Sequence, residues 1–185
     1  MYHKYIYPVH TWCDFLLTKD ASHQFSALKH LPGRWAAKQV QMQITELDAI
    51  VIGAGQAGLC EAYYLKQSGL HYEVLEKSDS CGHSWSAHRW DSFRLVTENS
   101  LCRLPEFPCT EIGEPLDGFM HRDRIVEYLE QFRKRNQLQV SFGQAAVSVT
   151  RGWQDRWVVL TSSGRWLRAL NVVVAVGGWM RTVNI

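Results

Sequence analysis

What this sequence lacks narrows it first. It has no C-x-x-C pair: the cysteines Cys13, Cys60, Cys81, Cys102 and Cys109 are odd in number and scattered. Such spacing offers neither a zinc site nor a disulfide framework, and it predicts reduced thiols in a cytoplasmic protein. No apolar run is long enough to span a bilayer. No long block of like charge occurs, and the net charge of +2 at pH 7 is too mild to argue for a nucleic-acid partner. The short basic cluster Arg133-Lys134-Arg135 reads as a solvated helix end, where cations suit the helix dipole. The histidines form no Ser-His-Asp or metal-ligand arrangement, and there is no internal repeat or low-complexity tract.

What is present centres on Ala49-Ile50-Val51-Ile52-Gly53-Ala54-Gly55-Gln56-Ala57-Gly58. A continuous apolar run is the mark of a buried parallel strand. Here it runs into G-x-G-x-x-G, and a helix-forming segment follows over about Gln56 to Gln67, with Gly69 as its C-cap. Gly53 permits the tight turn, Gly55 lets a pyrophosphate approach the backbone, and Gly58 lets helix and strand pack closely. The phosphates would sit on the N–H groups at the helix N-terminus. The next strand, Tyr72-Glu73-Val74-Leu75-Glu76, ends on an acid about 20 residues past the glycines. A carboxylate there accepts hydrogen bonds from ribose hydroxyls and repels a 2′-phosphate, which fits FAD or NAD.

Downstream, Lys77 to Phe119 reads as irregular, punctuated by glycine and proline. A helix is predicted over roughly His121 to Asn136, with Ile125, Tyr128, Leu129 and Phe132 on one apolar face. Gln137 to Phe142 alternates as a strand, with Leu138, Val140 and Phe142 on one side. Three short strands follow as a meander: Ala145 to Thr150, Arg156 to Thr161 and Arg165 to Ala169. The run Asn171 to Gly178 then predicts a second buried parallel strand. Residues 1–45 read as an N-terminal extension with a weak helical pattern over Ala21 to Leu31 and no convincing signal peptide; Met42 is the expected natural start.

A meander followed by a returning strand departs from a simple NAD domain. Three landmarks together resemble flavoproteins with two dinucleotide-binding domains, especially the flavin-containing monooxygenase-like group. They are the Gly53 turn with Glu76; Gly82-His83-Ser84-Trp85 followed by Trp90-Asp91-Ser92-Phe93-Arg94-Leu95-Val96-Thr97; and Val172-Val173-Val174-Ala175-Val176-Gly177-Gly178. Glu106-Phe107-Pro108 and Gly118-Phe119-Met120 match in kind as linking pieces. The resemblance covers roughly residues 46 to 182 and implies an α/β fold. Residues 46–185 would form a Rossmann-like FAD-binding domain, a parallel sheet with a three-stranded β-meander, incomplete at the C-terminus.

The resemblance implies FAD as cofactor. Gly53, Gly55, Gln56, Ala57 and Gly58 would meet its pyrophosphate, and Glu76, followed by Lys77, the AMP ribose. Ser84 and Trp85 would flank the riboflavin or its phosphates, and Arg94 and Thr97 would lie near the isoalloxazine. Val147 would offer backbone groups to adenine, while Val176 and Gly177 would face the cofactor. Two positions depart from the group's pattern: His83 replaces a glycine and Val176 a threonine. His83 reads either as a phosphate donor or as an exposed loop residue, and Trp85 either as a ligand or as a core aromatic. Of Arg89 and Arg94, Arg94 has the apolar neighbours of a ligand residue. Cys81 lacks a resolving partner nearby in sequence.

In complete members of the group NADPH reduces the flavin, and a second G-x-G-x-x-G holds that NADPH; here the motif occurs once. The expectation is therefore the FAD-binding portion of an NAD(P)H-dependent, monooxygenase-like oxidoreductase acting on a small molecule, with no assignable general acid or base. A non-catalytic nucleotide-binding module needing a partner chain is the alternative, and an NAD dehydrogenase fragment is the reading the meander opposes. An exposed, Val-rich sheet edge is also predicted, open to self-association or a complementing chain.

Overall fold

The computed structural model describes residues 43–178. The expected start at Met42 and the weak helix over Ala21 to Leu31 lie outside them. β1 (Ile44–Ile52) begins two residues before the boundary expected from the sequence and carries the apolar run into the glycine turn. Its alternate residues enter two different cores, as strand geometry requires. Val51 joins Val74 of β2 (Tyr72–Leu75) beneath the helices, whereas Ile50 joins Leu75 on the opposite face.

α1 (Gln56–Gln67) buries Leu59, Ala62 and Tyr63 against the first core. It ends in a Schellman motif: the Gly69 amide donates to Lys66 O at 3.0 Å and the Leu70 amide to Leu65 O at 3.1 Å. α2 is a short helix, His83–Ala87. α3 (Arg122–Arg135) opens on His121, whose side chain accepts the Asp123 amide. Its predicted face is wholly buried, with Ile125, Tyr128, Leu129 and Phe132 each 2% exposed or less. Each such side chain contributes about 1.5–3 kcal/mol of hydrophobic stabilisation. The basic cluster forms the last turn of α3, where Arg133 pairs with Glu130 at 2.7 Å and Arg135 with Glu111 at 2.6 Å. Lys66 Nζ of α1 donates to Asn136 O at 2.6 Å, so one helix satisfies a carbonyl at the end of the other. No helix among the described residues is long and apolar enough to cross a membrane.

Beyond α3 come β3 (Val140–Ser141), β4 (Ala146–Arg151), β5 (Trp157–Thr161) and β6 (Trp166–Val174). All belong to one six-stranded sheet in the order β3-β2-β1-β6-β5-β4. The first three pairings are parallel and the last two antiparallel. The α/β class, the parallel sheet and the meander are as expected. Leu138, Val140 and Phe142 all pack on the helix-side core, although the strand carrying them is only Val140–Ser141.

Two expectations need correcting. The third meander strand and the second parallel strand are one element. β6 pairs antiparallel with β5 through Trp166–Ala169 and parallel with β1 as far as Val174. Asn171, polar in the middle of the run, sits exposed in that strand and does not end it. The Val172–Val174 run is also not fully buried, since Val174 is 59% exposed. Past Ala169, β6 has only β1 beside it among the described strands, which is where the expected Val-rich edge lies. Second, the stretch from Lys77 to Phe119 is not wholly irregular. Gly82, left-handed at φ 63°, starts α2, and the Trp85 amide donates to Gly82 O at 2.8 Å.

Candidate functional site

The carboxyl ends of β1, β2 and β6 converge on the glycine turn. The Gly53 amide donates to Leu75 O at 2.8 Å, and the Ala175 amide to Ile52 O at 2.8 Å. The Gly82 amide donates to Ala54 O at 3.1 Å, mooring α2 to the same turn. A cleft of about 560 Å³ opens there, within the range typical of small-molecule sites. This is the crevice beyond the strand ends where open α/β sheets take ligands.

The turn demands glycine for specific reasons. Gly53 has φ +108°, and a Cβ on it would lie 2.5 Å from Ala175 O. A Cβ on Gly58 would lie 1.9 Å from Gly53 O, so α1 seats directly on the strand end. Gly55 differs, because a Cβ there would meet nothing within 4 Å. It faces open space at the N-cap of α1. That N-terminus has no side-chain cap and no acidic residue in its first turn. Its amide donors and the positive end of its dipole thus point into the cleft, an arrangement suited to an anion.

Glu76 is 8% exposed. Its Oε2 accepts the Ala54 amide at 2.8 Å and its Oε1 the Ser78 amide at 2.9 Å. The Glu76 main chain is held as well, donating to Ser141 O at 3.0 Å and accepting Gln144 N at 2.8 Å. The acid is therefore built into the turn while still lining the cleft.

Of the residues expected at the site, Gly53, Gly55, Gln56, Ala57, Glu76, Lys77, Ser84, Trp85, Val176 and Gly177 line this cleft. Gly58 lies behind it, in the helix–strand contact. Arg94 and Thr97 lie outside its lining; both are exposed, and Arg94 Nη1 donates to Phe119 O at 3.1 Å. Val147 is 55% exposed on β4, whereas Gln144, Ala145 and Ala146 just before it reach the cleft. A register shift between Ala146 and Ser148 accompanies that offset. Arg89, not Arg94, is the arginine of the cleft. Its guanidinium carbon lies 5.3 Å from the Trp85 ring centroid and 5.1 Å from that of Phe93. Sequence reasoning missed His88, which also lines the cleft. The turn of helix after Gly82 was the signal for it. Cys81 is 1% exposed. Burial, then the nearby Glu130, pushes its thiol up to about 12, which leaves it unreactive.

Residues 50–183 match the pyridine nucleotide-disulphide oxidoreductase family. The chain belongs to that family. It is 34% identical over 138 residues to the uncharacterized oxidoreductase CzcO of Bacillus subtilis, across 75% of this chain and 38% of that protein. It is 31% identical over 133 residues to the indole-3-pyruvate monooxygenase YUCCA1 of Oryza sativa, across 70% of this chain and 31% of the other. Its fold superposes on a flavin-containing monooxygenase from Stenotrophomonas maltophilia with a TM-score of 0.67 at 30% identity. That match covers 73% of this chain and 39% of that structure. The family chain thus spans well under half the length of these relatives. Its matched part contains the glycine turn and the cleft.

Proposed function

We propose that the chain holds FAD in this cleft, as the flavin-binding part of an NAD(P)H-dependent, monooxygenase-like oxidoreductase. The observation that carries the reading is the open cradle at Gly55. An uncapped helix N-terminus faces a cleft, with a buried carboxylate beside it.

The amides of Gly55, Gln56 and Ala57 would hold the diphosphate, favoured by the dipole of α1. Glu76 would accept ribose hydroxyls while keeping its hold on Ala54 and Ser78; a 2′-phosphate at that position would meet its negative charge. Ser84 and Trp85 would flank the ligand from α2, with Val176 and Gly177 facing it from the end of β6. A bound flavin supplies electron transfer and oxygen chemistry, and the protein supplies position and shielding. NADPH as reductant and a small organic molecule as substrate would suit the family and its monooxygenase relatives. The free thiols Cys60, Cys81, Cys102 and Cys109 suit a reducing compartment such as the cytoplasm.

Titration of the purified chain with FAD, followed by quenching of flavin fluorescence, tests the reading. Gly55→Ala should weaken binding by about 10- to 100-fold, because the methyl group fills the cradle. It should leave thermal stability nearly unchanged, since that methyl meets no protein atom within 4 Å. Gly58→Ala should instead cost about 3 kcal/mol of stability by overpacking. Absence of saturable FAD binding by the unaltered chain overturns the proposal.

A further inference from the structure

We infer that Gln144 selects the base of the bound dinucleotide, admitting adenine and rejecting an oxopurine such as hypoxanthine. The inference rests on the FAD reading and assigns a specificity to the same cleft.

The sheet order sets out the positions. The parallel strands β3, β2, β1 and β6 lie side by side, so their carboxyl ends form a row. Gln144 follows β3, Glu76 follows β2, the glycine turn follows β1, and Val176 follows β6; each lines the cleft. With the diphosphate at the turn and the ribose at Glu76, the base falls next in the row, at Gln144. The Gln144 amide donates to Glu76 O at 2.8 Å, which holds these two positions together.

The main chain beside Gln144 is already committed. The Ala145 amide donates to Ser162 Oγ at 3.1 Å, and Ala145 O accepts the Ser162 amide at 2.8 Å. The Gln144 side chain, by contrast, is oriented and only half used. The Arg165 amide, which can only donate, donates to Thr161 Oγ1 at 3.2 Å. The Thr161 and Ser163 hydroxyls meet at 3.1 Å, and Ser163 Oγ donates to Gln144 Oε1 at 2.6 Å. Ser163 has one hydroxyl hydrogen, so Thr161 donates to Ser163 and the chain of bonds runs one way. Thr161 is 2% exposed, which keeps its hydroxyl in that chain. Oε1 is thereby fixed in place with a second lone pair open, and Nε2 donates to no described residue.

An amide presented in this way suits adenine. Nε2 donates to a ring nitrogen while Oε1 accepts from the exocyclic amino group, the bidentate pairing that glutamine makes with adenine. An oxopurine carries an oxygen in place of that amino group, and two acceptors then face each other. Turning the amide over would relieve the clash, but it would set Nε2 against the Ser163 hydroxyl hydrogen and lose that bond.

The test compares FAD with its hypoxanthine analogue, which exchanges the amino group for oxygen and keeps ribose, diphosphate and flavin. Dissociation constants are measured by flavin fluorescence for the full chain, for Gln144→Met and for Ser163→Ala. The unaltered chain should prefer FAD by about tenfold or more, the size of one bidentate contact. Gln144→Met, similar in shape but without the amide, should reduce the preference to within about twofold. Ser163→Ala should narrow the preference by tightening the analogue, since the amide is then free to turn; a damaged cleft would weaken both ligands alike. Equal affinity of the unaltered chain for the two ligands, or a preference that Gln144→Met keeps, overturns the inference and leaves the FAD reading standing. Binding of neither ligand removes the FAD reading and the inference together. The comparison on the unaltered chain needs no variant, so it decides even where a substitution fails to fold.

Discussion

The carboxylate of Glu76 accepts the amide of Ala54 at 2.8 Å, joining the end of β2 to the middle of the glycine turn. A residue read from the sequence as a ligand contact is therefore also a structural part of the turn it serves. Ala54 is fully buried, so its N–H has no recourse to water.

Glu76→Ala should consequently lower stability by about 1–3 kcal/mol, the cost of stranding a buried donor, in addition to weakening FAD. Glu76→Gln keeps one oxygen for the Ala54 amide and should lose less stability. Urea unfolding of both variants, beside their flavin titrations, separates the two roles.

A second prediction concerns the end of α3. The Gln137 amide donates to Lys134 O at 3.0 Å and the Leu138 amide to Arg133 O at 3.0 Å, a Schellman motif like that of α1. At Gln137, however, a side chain occupies the left-handed region, at φ 50°. Gln137→Gly should stabilise the protein by about 0.5–1 kcal/mol, relief of backbone strain outweighing the added chain entropy. A higher urea midpoint with an unchanged slope is the expected result.

Short-range patterns carried the strand–turn–helix around Gly53 and the buried face of α3, because each depends on neighbours within a turn or two. The continuity of β6 depends on two different partners, β5 and β1, which no local period reports. Arg94 has apolar neighbours in sequence and Arg89 does not, yet Arg89 lines the cleft, because neighbours in an irregular stretch do not set where a side chain points. His88 reaches the cleft on a turn of helix that starts at Gly82, where glycine more often signals a loop.

Acid should act through Glu73. Burial alone would raise its carboxyl, but hydrogen bonds from Arg165 and Ser141 and the charge of Arg165 hold it below its ordinary value. Arg165 contacts it in a bidentate pair at 2.7 and 2.9 Å. A lowered native-state value gives stability that is present above about pH 4.3 and is lost as pH falls through the native value beneath it. Glu73→Gln should be less stable at pH 7 and show a flatter loss of stability below about pH 4 than the unaltered chain. Denaturation midpoints across pH 3 to 7 check this.

Past Ala169, β6 has no second neighbour among the described strands and presents Leu170, 50% exposed. Such an edge recruits other strands, and a charge on it discourages pairing. Leu170→Lys should reduce concentration-dependent association of the chain, measured by light scattering across a dilution series.

β1 and β6 also bear on the order of folding. Ile44 pairs with Trp166 and Ile52 with Val174, so the central strands are separated by almost the whole described chain. Closing so long a loop is slow, because its entropy is lost before the contacts repay it. The β4–β5 hairpin is local by comparison and should gain amide protection first in pulse-labelled hydrogen exchange. On the ribosome, β1 emerges early and waits for its neighbour until β6 has been made. Until then its Ile50, whose core is completed by Leu167 and Ala169 of β6, is exposed to whatever a nascent chain encounters, including chaperones.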